Sequence, residues 1–260
     1  MFSAPAVYAL MLSLTAGAAT VLGALPVFFS TGKNERVLAI ALGLAAGVML
    51  SVSFLDLYPE AERLLKTELS GQRAVFLAVL CLSAGIFLAA AVDRFVPHEA
   101  FDPETGEAAH KNLYRTGMLS VIVIGLHNFP EGIATFVAGY ENPSLGASVA
   151  VAVALHNMPE GLCVAMPVYY ATHSKKKAVI YTAFSAMAEP VGGLAAFLIL
   201  HPFIDNTVLG VVFALVAGIM VYVAIEELIP SSRQYKHDRE ALWATFAGIC
   251  LMPLSVLIIF

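Results

Sequence analysis

Eight runs of apolar residues, each about 20 residues long, divide this chain and leave few folds open to it. At about 1.5 Å per residue, some 20 helical residues cross the roughly 30 Å hydrocarbon layer of a bilayer. Backbone inside lipid must satisfy its own hydrogen bonds, so runs of this kind cross as helices. They fall at 5–29, 36–58, 73–92, 116–138, 144–170, 177–200, 207–228 and 240–260. Breakers separate most of them: "STGKNE" at 30–35, "ENPS" at 141–144, "HSKKK" at 173–177, "HPFIDN" at 201–206 and "PSSRQYKHDRE" at 230–240. The fold class expected is all-α, a polytopic membrane protein of eight transmembrane helices in a single domain over residues 1–260. The longest polar stretch, about 93–115, is expected to be a solvated loop between the third and fourth helices.

The composition agrees with this reading. Of 260 residues, 59% are hydrophobic and 13% charged, whereas a soluble domain is nearer 45–50% apolar and about 25% charged. The small net charge of −5 points to no nucleic-acid partner; the bilayer itself is the expected surroundings. Three cysteines, Cys81, Cys163 and Cys250, lie in apolar runs with no C-x-x-C spacing, which argues against a disulfide framework or a thiolate metal site. The first run has no charged segment before it and reads as a retained helix rather than a cleaved signal. Lysine and arginine set the orientation. Eleven of the fourteen sit in the loops after the odd-numbered runs, so those loops are expected in the cytoplasm and both termini outside.

One pattern resists explanation by packing. "LHNFPEGIAT" at 126–135 is answered by "LHNMPEGLCV" at 155–164, so His-Asn-x-Pro-Glu-Gly recurs 29 residues on. His127 and Glu131 are four apart and share a helix face, with Asn128 turned by about 100° beside them. Pro130 cannot donate a backbone hydrogen bond and frees the Leu126 carbonyl; Gly132 lets another helix approach closely. His156, Asn157, Pro159, Glu160 and Gly161 repeat this arrangement, with Leu155 as the freed carbonyl. Glu131 lies about 15 Å before the 141–144 turn and His156 about 18 Å after it, so both copies reach mid-bilayer at matching height. "SAMAEPVGG" adds Glu189, beside Pro190, at the same depth. A lone buried histidine is most often a satisfied structural residue, and a lone proline only a kink. Carboxylates repeated at one depth are costly and functional by default, and a divalent cation would neutralise them.

These motifs, "HNFPEG", "HNMPEG" and "AEP" on the fourth, fifth and sixth of eight runs, resemble the ZIP (Zrt/Irt-like) divalent metal transporters, and the bacterial ZupT branch in particular. The resemblance covers nearly the whole chain. It implies a ZIP-type bundle in a bacterial inner membrane. It also implies uptake of zinc, with iron(II), manganese or cobalt as further cargo, through a two-metal centre. Carried over by position, one site would comprise His127, Glu131, His156 and Glu160. The adjoining site would comprise Asn128, Glu131, Asn157, Glu160 and Glu189, with Glu131 and Glu160 bridging. Some relatives have an acidic residue where Asn157 stands, so this second site is expected to be weaker here. Imidazole with carboxylate suits zinc and iron; amide and carboxylate oxygens suit manganese.

Secondary candidates are Asp56 as an entrance carboxylate or a solvated helix end, Cys163 as path lining or a small apolar filler, and Glu226 and Glu227, at the cytoplasmic end of the seventh run, as an exit-side cation site or an ordinary polar helix end. His98, Glu99 and His110 in the long loop read as solvated. Two other function classes fit less well. An intramembrane zinc-dependent hydrolase would need a substrate cleft and a water-activating base. A proton or sodium exchanger would leave the paired histidines and asparagines without a role. Small-residue faces such as "GLAAG" at 43–47 permit close packing, within one chain or in a homodimer.

Overall fold

A computed structural model describes residues 3–30, 34–95, 107–200 and 205–259. The described residues form eight helical segments in the expected order. They are α1 (Ala4–Leu22, with a further turn at Pro26–Phe29), α2 (Glu35–Val52, continuing to Glu68), α3 (Gly71–Phe95), α4 (Glu107–Glu141), α5 (Pro143–Thr172), α6 (Lys175–Ala186 and Ala188–Ala195, extended to Leu200), α7 (Asn206–Val223, continuing to Arg233) and α8 (Asp238–Ile259). The first seven are long and apolar enough to cross a membrane; α8, with 22 residues, spans about 33 Å. Much of the loop expected over 93–115 is helical: α3 runs on to Phe95 and α4 starts at Glu107. His98 and Glu99 lie outside the described residues, and His110 falls in the first turns of α4.

Local chemistry sets the ends of these helices. Asn142 caps α5, its Oδ1 accepting from the Ser144 and Leu145 amides at 3.1 and 3.2 Å, with Pro143 in the first position. At the other end His173 adopts a left-handed φ of 51° and Ser174 caps α6 through the Lys177 amide. Three helices carry a wide turn two residues ahead of a proline in the sequence, the one in α6 spanning Ala196–Leu200. In α2 it spans Ser53–Leu57, just ahead of Pro59; in α7 it spans Ala224–Leu228, just ahead of Pro230. A proline has no N–H to continue the ladder, and a π turn absorbs the mismatch. α6 breaks at Met187, and Pro190 cannot donate to the Ala186 carbonyl four residues back.

The helices pack as two groups of four. α1, α4, α5 and α6 form one bundle; α2, α3, α7 and α8 form the other. They meet along a seam where α2 lies against α5 and α4 against α7. Within the second bundle α2 and α8 cross through glycine. A Cβ on Gly43 would overlap the Ala241 carbonyl oxygen, one on Gly47 the Thr245 carbonyl oxygen, and one on Gly248 the Leu44 carbonyl oxygen. The "GLAAG" face is therefore used inside the chain.

Candidate metal centre

The doubled motif places two wedges of the same shape on antiparallel neighbours. Gly132 and Gly161 let partner backbones approach: a Cβ on the first would strike the Glu189 carbonyl oxygen of α6, and on the second the Thr20 carbonyl oxygen of α1. Gly192 of α6 answers by packing on the Phe129 carbonyl of α4. The Ser13 hydroxyl of α1 donates to the Gly132 carbonyl at 3.1 Å. α4 and α6 are thereby drawn together at the level of both motifs.

His127, Glu131, His156 and Glu160 meet at that level, all buried. His156 Nε2 is 2.9 Å from Glu131 Oε1. His127 Nε2 is 3.2 Å from Glu131 Oε1 and 3.3 Å from Glu160 Oε1. The imidazole centroids are 6.1 Å apart. Zinc holds nitrogen and oxygen ligands at about 2.0–2.2 Å, so two tetrahedral ligands of one ion stand about 3.3 Å apart. The observed separations cluster near that value. One ligand atom each from His127, Glu131 and His156 lies within 4.8 Å of the others. Several buried polar atoms here have no hydrogen-bond partner among the described residues: both nitrogens of His127, Nδ1 of His156, Oε2 of Glu131 and both carboxylate oxygens of Glu160. Such groups are costly in an apolar interior. Their convergence gathers imidazole and carboxylate donors that could hold a metal ion.

The other three expected residues lie along the α6 side. Asn157 donates its amide to Glu189 Oε2 at 2.7 Å and to the Ala16 carbonyl of α1 at 3.0 Å. Its Oδ1 and Glu189 Oε1 are buried without a partner. Glu189 stands in the first turn after the α6 break. Asn128 is buried and donates to the Ser185 carbonyl of α6 at 3.4 Å, leaving its Oδ1 unpartnered. Each of the seven residues singled out by the motifs is thus buried on the fourth, fifth or sixth helix. Distances connect His127, Glu131, His156 and Glu160 as one cluster and Asn157 with Glu189 as a pair.

A cleft of about 490 Å³ leads to this cluster from the end of the bundle that carries the α4–α5 turn. Its deepest polar walls are Glu131 and His156; Ala138 and Val149 line it further out, and α2 and α7 supply Asp56 and Phe213. Asp56, in the π turn of α2, has Oδ2 3.9 Å from His156 Nδ1. It comes from the bundle that holds none of the motif residues. Cys163 is fully buried, with its thiol directed to the Pro159 carbonyl at 3.5 Å, and packs in the main core cluster.

Sequence reasoning missed a second buried polar cluster. Arg115, counted above as a loop charge, lies within α4. Its Nη1 donates to Glu227 Oε1 at 2.5 Å and its Nη2 to Asp93 Oδ1. The Tyr222 hydroxyl donates to Asp93 Oδ2 at 3.0 Å, and Thr116 donates to Glu227 Oε2 at 3.3 Å. Glu227 was expected as a polar helix end; it is 5% exposed. Its only sequence signal is an acid-Leu-x-Pro run that also occurs at Asp56.

Comparison with known proteins places these features in a lineage. Residues 102–255 match the family model described as ZIP Zinc transporter. The chain is 42% identical over 260 residues to the zinc transporter ZupT of Chlorobium chlorochromatii, with 96% of this chain and 97% of that protein aligned. It is 40% identical over 261 residues to zinc transporter ZupT of Oceanobacillus iheyensis, at the same coverage. Against zinc transporter ZupT of Akkermansia muciniphila the identity is 42% over 259 residues, covering 95% and 96%.

Proposed function

The chain belongs to the ZIP zinc transporter family, and on that premise we propose that it carries zinc into the cytoplasm of a bacterium through the buried cluster described above. The convergence of His127, Glu131, His156 and Glu160 at ligand-like spacing, at the foot of a cleft, carries this reading. The whole of 1–260 acts as one transport domain in the inner membrane. The distribution of lysine and arginine supports both termini outside, which makes the cleft the external mouth.

A hydrated cation enters the cleft past Asp56 and exchanges water for imidazole and carboxylate. His127, Glu131, His156 and Glu160 form the first site. Asn128, Asn157 and Glu189 extend it toward a second, with Glu131 and Glu160 shared between the two. The oxygen-rich second set suits iron(II), manganese or cobalt as alternative cargo. Thiolates are absent from both sets, so the ion is not held too tightly to leave. Release inside requires the two bundles to move relative to one another about the ion, as alternating access demands.

The test is zinc entry into proteoliposomes loaded with a metal-sensing dye, for the wild type, Glu131→Ala and Glu160→Ala, each checked for monodispersity. Saturable entry abolished by both substitutions is expected. Entry that survives both would refute the assignment of the path to the doubled motif.

A further inference from the structure

The ends of the seam between the bundles are chemically unequal. At the α4–α5 end the cleft separates α4 and α5 from α2 and α7. At the opposite end charged side chains of the described residues bridge the seam. Arg115 stands twelve residues before His127 on α4, about 18 Å along the helix and away from the cleft. It reaches across the seam to Asp93 near the end of α3 and Glu227 in the π turn of α7. The side chains of Arg115, Asp93 and Glu227 are 9–10% exposed or less. Thr116 and Ser231, 3.2 Å apart, add a hydroxyl contact beneath. These contacts tie a helix of the motif-bearing bundle to two helices of the other.

The sequence duplications bring out the asymmetry. Asp56-Leu-Tyr-Pro in α2 and Glu227-Leu-Ile-Pro in α7 each place an acid in a π turn ahead of proline. α2 and α7 run in opposite senses along the bundle, so the two acids sit at opposite ends of the seam. Asp56 is half-exposed in the cleft, whereas Glu227 is paired with arginine. The 29-residue offset that carries His127 onto His156 carries Arg115 onto Ser144, an exposed residue with no charge. Among the described residues an arginine bridges the bundles at this end and none does at the cleft end.

We propose that Arg115, Asp93 and Glu227 form a one-sided ionic latch that holds this end of the seam shut, makes the cleft-open form the ground state, and must part before an ion can leave on that side. The proposal rests on the alternating-access reading above. Closing the cleft while opening the other end requires α4 to shift against α3 and α7, and no such shift preserves both arms of the Arg115 fork. Ser144 supplies no equivalent for the cleft-closed form, so breaking the latch moves the population toward that form.

The test reads both ends by thiol accessibility in the full chain reconstituted in nanodiscs without zinc. Cys81→Ser and Cys250→Ser form the background, with buried Cys163 retained. Val149→Cys reports the cleft wall; Ser231→Cys reports the buried end. The latch is removed by combining Arg115→Met, Asp93→Asn and Glu227→Gln, which takes away the charge of all three residues. The expected result is at least a ten-fold rise in maleimide labelling of the Ser231→Cys thiol and a fall at Val149→Cys. Rates within two-fold of the parent at both positions in the monodisperse triple variant would overturn the proposal. If that variant does not stay monodisperse, Arg115→Lys, which keeps the charge but loses the fork, decides. A three-fold rise at Ser231→Cys supports the latch, and unchanged rates overturn it. Since labelling is read without zinc, a wild type that moves no zinc would refute the transport reading separately.

Discussion

Asn157 gives the sharpest prediction, because its amide does two things a carboxylate cannot. It donates to Glu189 Oε2 at 2.7 Å and to the Ala16 carbonyl at 3.0 Å, both in fully buried surroundings. Asn157→Asp is nearly isosteric but removes both donors. A buried hydrogen bond to a charged group contributes about 1.5–3 kcal/mol and a neutral one about 0.5–1.5 kcal/mol, so their loss alone costs ~2–4.5 kcal/mol. The substitution also places a second carboxylate against Glu189. At 2.7 Å and an effective dielectric near 20, two ionised carboxylates would repel by at most about 6 kcal/mol, which the pair relieves by sharing a proton and which a divalent cation between the oxygens would turn into attraction. Without metal, the variant should therefore unfold at least ~5 °C below the wild type, taking about 2–4 °C per kcal/mol for a chain of this size. Zinc or manganese should raise its melting temperature more than that of the wild type. The assay is thermal unfolding of purified protein in detergent, in EDTA and across a metal titration. Equal midpoints in EDTA, or equal metal-induced rises, would refute the clamp and the charge argument together.

Two further perturbations follow from the packing and the cleft. Gly132→Ala should abolish or severely reduce monodisperse protein on size exclusion, because its Cβ would overlap the Glu189 carbonyl. Gly125→Ala, two helical turns earlier with nothing within 4 Å of its Cβ, should leave the melting temperature unchanged or raise it, by up to about 1 kcal/mol of helix propensity. Val149→Trp, on the cleft wall, should lower zinc entry into proteoliposomes more than ten-fold with an unchanged melting temperature; undiminished entry would place the route elsewhere.

Some of the site was legible before any tertiary contact was known. His127 with Glu131, and His156 with Glu160, are four-residue pairs, and helix geometry alone stacks them. Equal spacing from the 141–144 turn brings the two pairs to one height, and the structure joins them within 2.9–3.3 Å. The depth of Glu189 followed in the same way. Arg115 and Glu227 did not follow, because each stands near the end of an apolar run, where a charge normally meets water. Only a partner on another helix makes it a buried group. Asp56 was visible as a carboxylate at a helix end, but its 3.9 Å approach to His156 depends on how α2 crosses α5.

The sequence by itself determined that this chain is a bundle of membrane-length helices with a repeated imidazole and carboxylate pair at its midplane. Both conclusions rest on one-dimensional quantities, run length against hydrocarbon thickness and residue spacing against helical pitch. The tertiary structure decided which helices share a bundle, that the motif helices stand together on one side of a seam, and that the seam is open at one end and ion-paired at the other. Those outcomes rest on close approaches between backbones at Gly132, Gly161 and Gly192 and on charges meeting across more than a hundred residues of chain. No local pattern encodes such meetings, since the energy of a buried charge is set by whatever helix lies opposite it.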